Sequence, residues 1–503
     1  MKEPLKGVTR RDFLQVLGSV AGSGSVYAAM SGLGLAAAPA AASNLPAVGD
    51  SIGKGVRVGI IGAGISGLAA AYELRKRGYE CTVIEANGRA GGRSLTLRGG
   101  DAVVETGGIQ HARWDRETQL YANMGPARIP YHHKTVLNYC REFGVPLEVF
   151  VNENRAAFVH DSHAFAGKPQ ENRYIVHSTR GMVAELLAKA VNRKALDDVL
   201  TAEDVEKLLT LLKGYGELDK DYIYRGGGRA GYAVTPGAGA VAGTQHQRPA
   251  LADLLRSEFV RSNINFTEEW NQAATMLQPV GGMDKIVQGF LRQVGDLVIY
   301  NAPVQEIRKT GERARIVYKH DGQSRVLDVD FAIITIPIPA LARIDTDFSA
   351  THREAMQSCR YTQAAKIAFQ ADRRFWEEDA RIYGGISWTD QGIGQIWYPS
   401  GGLMEKKGIL VGAYIRDDSV GASYARMSYA ERIESALADG EKIHPGYRQL
   451  VKNGVAVCWP NMPYAQGGWA VWTAAARKNH YPTLTRPDGP LYLAGDQVSH
   501  VPG

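Results

Sequence analysis

Glycines at 62, 64 and 67 stand between an apolar β-branched run, "VRVGII", and an alanine-rich helical pattern, "SGLAAAYELRKRG". No other feature constrains the fold as much. The run reads as a buried parallel strand. Gly62 permits a tight turn, Gly64 lets the backbone approach a pyrophosphate, and Gly67 allows the helix to pack closely on the strand. The helix start at Ile65 and Ser66 presents free amides to phosphates. A second strand, "ECTVIEA", follows and carries Glu85 about 20 residues beyond the glycines, where a carboxylate binds ribose hydroxyls. A 2′-phosphate would want an arginine there instead. The pattern predicts an α/β chain with a Rossmann-like domain that holds a dinucleotide.

At 503 residues the chain is long enough for two or three domains. With 45% hydrophobic and 22% charged residues it falls in the ordinary globular range. The formal charge of +6 includes no clustered basic run, so a nucleic-acid partner is not expected. Cys81, Cys140, Cys359 and Cys458 are far apart without CxxC spacing, so no metal site is expected and buried free thiols are. Near the start, Arg10-Arg11 precede Phe13-Leu14 and a Gly/Ala-rich run ending in "AAAPAAAS". This resembles a twin-arginine export signal covering 1–42, cleaved near Ala42. Its Gly and Ser content makes it too polar for a stable membrane span. The expected partner is the twin-arginine translocation machinery, and the expected location is periplasmic or secreted.

The segment after Glu85, "EANGRAGGRS", adds Ala86, Arg89, Gly91, Gly92 and Arg93. On spacing alone the two arginines could form a solvated basic turn. The string resembles the FAD fingerprint of the flavin amine oxidase family, in which such residues hold the FAD diphosphate and ribityl chain. The resemblance extends along the chain. "NAPVQEIRKT" is similar to the strand whose Val304 backbone meets the adenine. "GPLYLAGDQVSH" resembles the last FAD-domain strand, with Asp496 near the flavin chain. The implied organisation is a discontinuous FAD-binding domain (54–135, 272–347 and 445–503), a helical cover (136–271) and a substrate-binding antiparallel sheet (348–444). The cover contains a glycine-rich loop, "YRGGGRAGYAVTPGAGAVAG", readable as a mobile segment or as a linker.

The same resemblance implies the site. "NMGPARIP" is similar to the segment in L-amino acid oxidases where an arginine, here Arg128, forks around the substrate carboxylate. Gly125, Pro126 and Ala127 of that loop touch the flavin in relatives. A buried carboxylate needs a permanently charged bidentate partner, which arginine supplies. Tyr398 in "IWYPSGG" matches a tyrosine reaching the same carboxylate, although a buried strand aromatic is the other reading. Lys366 in "TQAAKIAFQADRRFW" shares a strand face with Ala364 and Ala368. It resembles the family lysine that holds a water at flavin N5 and serves reoxidation by oxygen. A snorkelling surface lysine is its alternative. In "PYAQGGWAVW", covalent relatives place a cysteine after the glycines. Trp469 stands there instead, so non-covalent FAD is expected, with Trp469 walling the cavity. Gly503 matches a backbone position near the substrate amine. The implied activity is oxidative deamination of L-amino acids to 2-oxo acids, with ammonia and hydrogen peroxide released. Amine oxidase, amino acid 2-monooxygenase and a silent flavoprotein are the alternatives, and a homodimer is a candidate assembly.

Overall fold

The computed structural model describes residues 53–193 and 200–501. The twin-arginine segment and Gly503 lie outside the described residues. Arg57–Ile61 and Glu80–Ile84 pair in parallel, with Arg57 opposite Glu80 and Ile61 opposite Ile84. Val298–Ile299, Phe331–Ile334 and Leu491–Leu493 complete a five-stranded parallel sheet. Its strands come from distant parts of the chain, so the domain is discontinuous.

Alternation along the first strand sets two cores. Val58 and Ile60 pack with Leu68, Val83, Ile286 and Phe290 beneath helices Ile65–Arg75 and Asp284–Val294. Ile61 faces the other way, into a cluster with Ile307, Ile316, Val329 and Ile334. That cluster is roofed by a second sheet built around Val304–Thr310, Arg313–His320 and Gln323–Val329. The sheets meet closely at Gly59, where a Cβ would come within 2.5 Å of Ile316 Cδ1.

A seven-stranded sheet forms the other half of the molecule. Its most extensive pairing is that of Ala365–Ala371 with Gly408–Ile415, next to the Lys452–Cys458 edge, where Lys366 lies opposite Tyr414. Ala365, Ile367 and Phe369 enter one core, covered by helix Tyr429–Glu441. Ala364, Ala368, Val455 and Val457 enter another, with Leu97, Trp114 and Leu120. The expected limits of this sheet need correction. It extends past residue 444, because Lys452–Cys458 pairs with Ala365–Ala371. It also takes Phe158–His160 and Gln170–Glu171 from the segment assigned to the helical cover. It is mixed, since Phe158–His160 runs parallel to Gly385–Thr389. Strand pairing between segments far apart in the chain decides this, and no local pattern encodes it.

The cover itself holds Asn172–Asn192, Ala202–Gly216 and Leu251–Arg256. Thr201 and Asp204 form a reciprocal capping box at the start of the second helix. Helix Lys134–Glu142 instead packs with Asp284–Val294 on the parallel sheet, so the cover begins later than expected. In the glycine-rich loop, Tyr232–Val234 pairs with Thr244–Gln245 as an exposed two-stranded ribbon. No helix among the described residues is long and apolar enough to cross a membrane. All four cysteines are buried free thiols.

A buried ion pair fastens the Ala102–Glu105 strand and helix Tyr429–Glu441 to the seven-stranded sheet. Arg432 Nη1 lies 2.7 Å from Glu105 Oε2, and Glu105 Oε1 accepts from the Cys458 amide at 2.8 Å. Removing one partner of such a pair leaves an uncompensated charge indoors. Glu105→Ala should therefore destabilise the protein by about 3–5 kcal/mol. Denaturant unfolding of parent and variant measures this, and a loss below about 1 kcal/mol contradicts it.

Candidate active site

A cavity of about 910 Å³ opens where the glycine turn, the strand ends of the parallel sheet and the seven-stranded sheet meet. Gly62 turns the chain at φ +101°, a conformation that favours glycine. A Cβ on Gly67 would sit 1.9 Å from the Gly62 carbonyl oxygen, so Gly67 serves packing and does not line the cavity. A Cβ on Gly64 would meet nothing within 4 Å and would project into the cavity, leaving the backbone open to a close ligand. Ile65 and Ser66 line the wall beside it.

Glu85, just beyond the second strand, is buried. Its Oε2 accepts from the Ala63 amide at 2.8 Å, and its Oε1 accepts from both the backbone and side-chain nitrogens of Asn87 at 2.8 Å. The carboxylate thus ties the glycine turn to the end of the second strand. Ala86, Arg89, Gly92, Arg93 and Val304 line the same end. Arg89 donates to the carbonyls of Gly92 and Ala90, and burial lowers its pKa. Arg93 donates to both oxygens of Asp496, at 2.7 and 2.5 Å, and to the Gly468 carbonyl at 2.9 Å. Three remote segments are joined through that one guanidinium.

The other end is cationic. Gly125, Pro126, Ala127 and Arg128 line it in sequence. Gly125 is required there, because a Cβ would fall 1.8 Å from the Arg93 carbonyl oxygen. Arg128 donates Nε at 3.1 Å and Nη2 to one acceptor, Gln272 Oε1, and stands 5.4 Å from the Trp397 ring centre. No carboxylate pairs with it among the described residues. Burial, reinforced by the charge of Arg416, lowers its pKa. Lys366 is 3% exposed; its Nζ donates to the carbonyls of Gly125 at 2.7 Å and Asn123 at 3.0 Å. It stands 4.6 Å from the Tyr414 ring centre. Burial, then repulsion from Arg128, lowers its pKa to about 7. Trp469 also lines the cavity.

Tyr398 does not. Its ring lies in the core on the opposite sheet face, near Trp376. Its hydroxyl meets Ser387 Oγ at 2.8 Å and His444 Nε2 at 2.5 Å. The expectation that Tyr398 grips a substrate carboxylate is corrected on this ground. Side chains alternate along a strand, and here Trp397 faces the cavity. The phenol on the cavity face is Tyr414, placed by its register opposite Lys366. The alternation in "GILVGAYI" was legible, but which face meets the cavity was not. Gln272 and Arg416, also in the wall, carry no motif.

A family model described as flavin containing amine oxidoreductase matches residues 65–503. The chain belongs to this family. An L-amino-acid oxidase of Protobothrops flavoviridis is 27% identical over 468 residues, covering 88% of this chain and 85% of its own. Among solved structures, a putrescine oxidase bound to putrescine is similar with a TM-score of 0.57 at 19% identity, over 89% of this chain and 94% of that one. The cyclohexylamine oxidase from Brevibacterium oxydans IH-35A is similar at 0.56 and 18%, over 88% and 94%. At these identities the structures speak for the fold alone.

The cofactor of this oxidoreductase is FAD. The cavity fits it: Gly64 leaves its backbone open to a close ligand, the Glu85 carboxylate lines the same end and would meet a ribose there, and Arg89 has no carboxylate partner among the described residues. None of the four cysteines lines the cavity, so no thiol is positioned for a covalent link. Glu85→Ala should weaken FAD binding on the order of ten- to a hundred-fold, the scale for one charge-assisted hydrogen bond. Flavin titration of the stripped variant checks this, and an unchanged Kd removes Glu85 from the ribose site.

Lys366 makes stability pH-dependent with a definite sign. Its pKa is about 7 folded against 10.5 ordinarily. Below pH 7 both states carry the proton and the burial cost is full; between 7 and 10.5 only the unfolded state binds it. Lys366 should therefore add stability as pH rises through that window. Unfolding free energies of parent and Lys366→Met should diverge in slope there; parallel curves refute the buried, titrating lysine.

Proposed function

We propose that this FAD-dependent oxidoreductase oxidises L-amino acids to 2-oxo acids, releasing ammonia and passing electrons to oxygen to give hydrogen peroxide. One observation carries the reading. Arg128 is a partly buried guanidinium on the cavity wall whose only side-chain hydrogen-bond partner among the described residues is the neutral Gln272. A permanent charge partly withdrawn from water without an anion is costly, and a ligand carboxylate offsets that cost. The two Arg128 bonds to Gln272 Oε1 occupy the fork that such a carboxylate would take over.

The rest of the wall agrees. Among the described residues only two acids line the cavity, Glu85 and Asp496. The first is bonded to Ala63 and Asn87, and the second to Arg93 and the Ala470 amide. The second ammonium of a diamine would meet Arg128 and Lys366 without a counter-ion. FAD, when bound, supplies the two-electron acceptor for the hydride that leaves the substrate Cα. Arg128 and Tyr414 orient the carboxylate, so that Cα is presented in one pose. Lys366, held by two carbonyls and titrating near neutrality, can retain or release a proton beside the reacting atoms. Trp397 and Trp469 keep the site dry.

Phenylalanine and phenethylamine separate the alternatives, because they differ only in the carboxylate. The parent should oxidise the amino acid and largely ignore the amine, since a site built around a charged group rejects the analogue lacking it. Arg128→Ala should cost about 3–5 kcal/mol in kcat/KM toward the amino acid and far less toward the amine. Tyr414→Phe should raise KM for the amino acid, whereas Tyr398→Phe should not change the ratio between the two substrates. A parent preferring the amine, or an Arg128→Ala enzyme losing both activities equally, makes this an amine oxidase.

A further inference from the structure

Arg416 is a third cation on the substrate wall, beside Arg128 and Lys366, and no sequence motif marks it. It follows the Gly408–Ile415 strand directly. Tyr414, two residues earlier, lines the cavity, and Ile415 between them is buried in the opposite core. Arg416 therefore leaves the backbone on the cavity side, and it lines the same wall as Arg128 and Lys366. Its guanidinium carbon stands 5.4 Å from the ring centre of Phe266, a buried cavity residue, which holds the planar group by cation–π contact.

No hydrogen bond or ion pair engages Arg416 among the described residues. The acids beside it in sequence are committed elsewhere. Asp417 caps the next helix, accepting from the Ser419 and Val420 amides, and Asp418 accepts from the Gln363 amide. Five N–H donors on a planar fork are thus left for a ligand. The positive charge of Arg416 is felt at both Arg128 and Tyr414.

We infer that Arg416 receives a second carboxylate, so that the preferred substrates are dicarboxylic L-amino acids of the glutamate and aspartate class. This rests on Arg128 holding the α-carboxylate. Two guanidinia on one wall, with Lys366 between the turn carbonyls and no available acid among the described residues, match a dianionic substrate with one ammonium. A basic side chain would be repelled. An apolar one would leave the Arg416 fork to water while covering it.

The test compares L-glutamate and L-aspartate with the near-isosteric L-glutamine and with L-leucine on FAD-loaded enzyme. The parent should turn over the better acidic substrate at least ten-fold more efficiently than glutamine. Arg416→Met, which keeps the apolar stem over Phe266, should erase most of that ratio, chiefly through KM. Arg416→Glu should invert it toward lysine. Because Arg416 is solvent-exposed, the preference should shrink in about 0.5 M salt. Perturbation of the flavin absorbance should show tighter binding of glutarate than of butyrate in the parent and not in Arg416→Met. Glutamine or leucine oxidised as efficiently as the acidic substrates overturns the inference while leaving the amino acid reading intact. Equal losses on glutamate and leucine in Arg416→Met overturn it likewise. Oxidation of amines alone removes both.

Discussion

The ammonium of Lys366 is held indoors by the Asn123 and Gly125 carbonyls, and the geometry of the substrate end depends on that contact. It joins the Ala365–Ala371 strand of the seven-stranded sheet to the turn that carries Arg128. The turn is pinned from its other side, since Gly125 packs against the Arg93 backbone with no room for a side chain. Arg93 in turn bonds Asp496 and the Gly468 carbonyl. One chain of contacts therefore runs from the substrate wall to the last strand of the parallel sheet. A shift at any link would move Arg128, Lys366 and the cofactor end together.

Charge is distributed along the cavity with a clear sense. At the dinucleotide end both acids are bonded, Glu85 to neutral amides and Asp496 to Arg93. At the substrate end three cations share a wall without a carboxylate among the described residues. Such an arrangement is unfavourable until an anion arrives, which is how binding energy becomes orientation. The low pKa of Lys366 has the same origin, because burial and the neighbouring guanidinium both disfavour its charge. The similar proteins include an amino acid oxidase by sequence and amine oxidases by fold. Charge on the wall is the physical basis for choosing between them.

Tyr398 and Tyr414 show where sequence reading stopped. Both sit in buried strands, and both are tyrosines in apolar runs. A one-residue difference in phase sends Tyr398 to His444 and the core and Trp397 to the cavity. Nothing local says which face of a doubly covered sheet meets a ligand. The sheet's limits were unreadable for the same reason, because Phe158–His160 and Lys452–Cys458 join it across large separations.

The sequence by itself determined the dinucleotide end. Its glycines, helix start and Glu85 lie within one βαβ unit, where the physics of a tight turn and a helix N-terminus acts over neighbouring residues. Lys366 and Arg128 were also legible as an isolated cation in an apolar strand and an arginine beside a turn proline. Only the tertiary structure decided that they share a wall with Tyr414, Gln272 and Arg416, and that the nearby acids are already bonded. Those facts are juxtapositions of segments far apart in the chain, and Coulomb energy depends on distance in space, which no spacing along a sequence records.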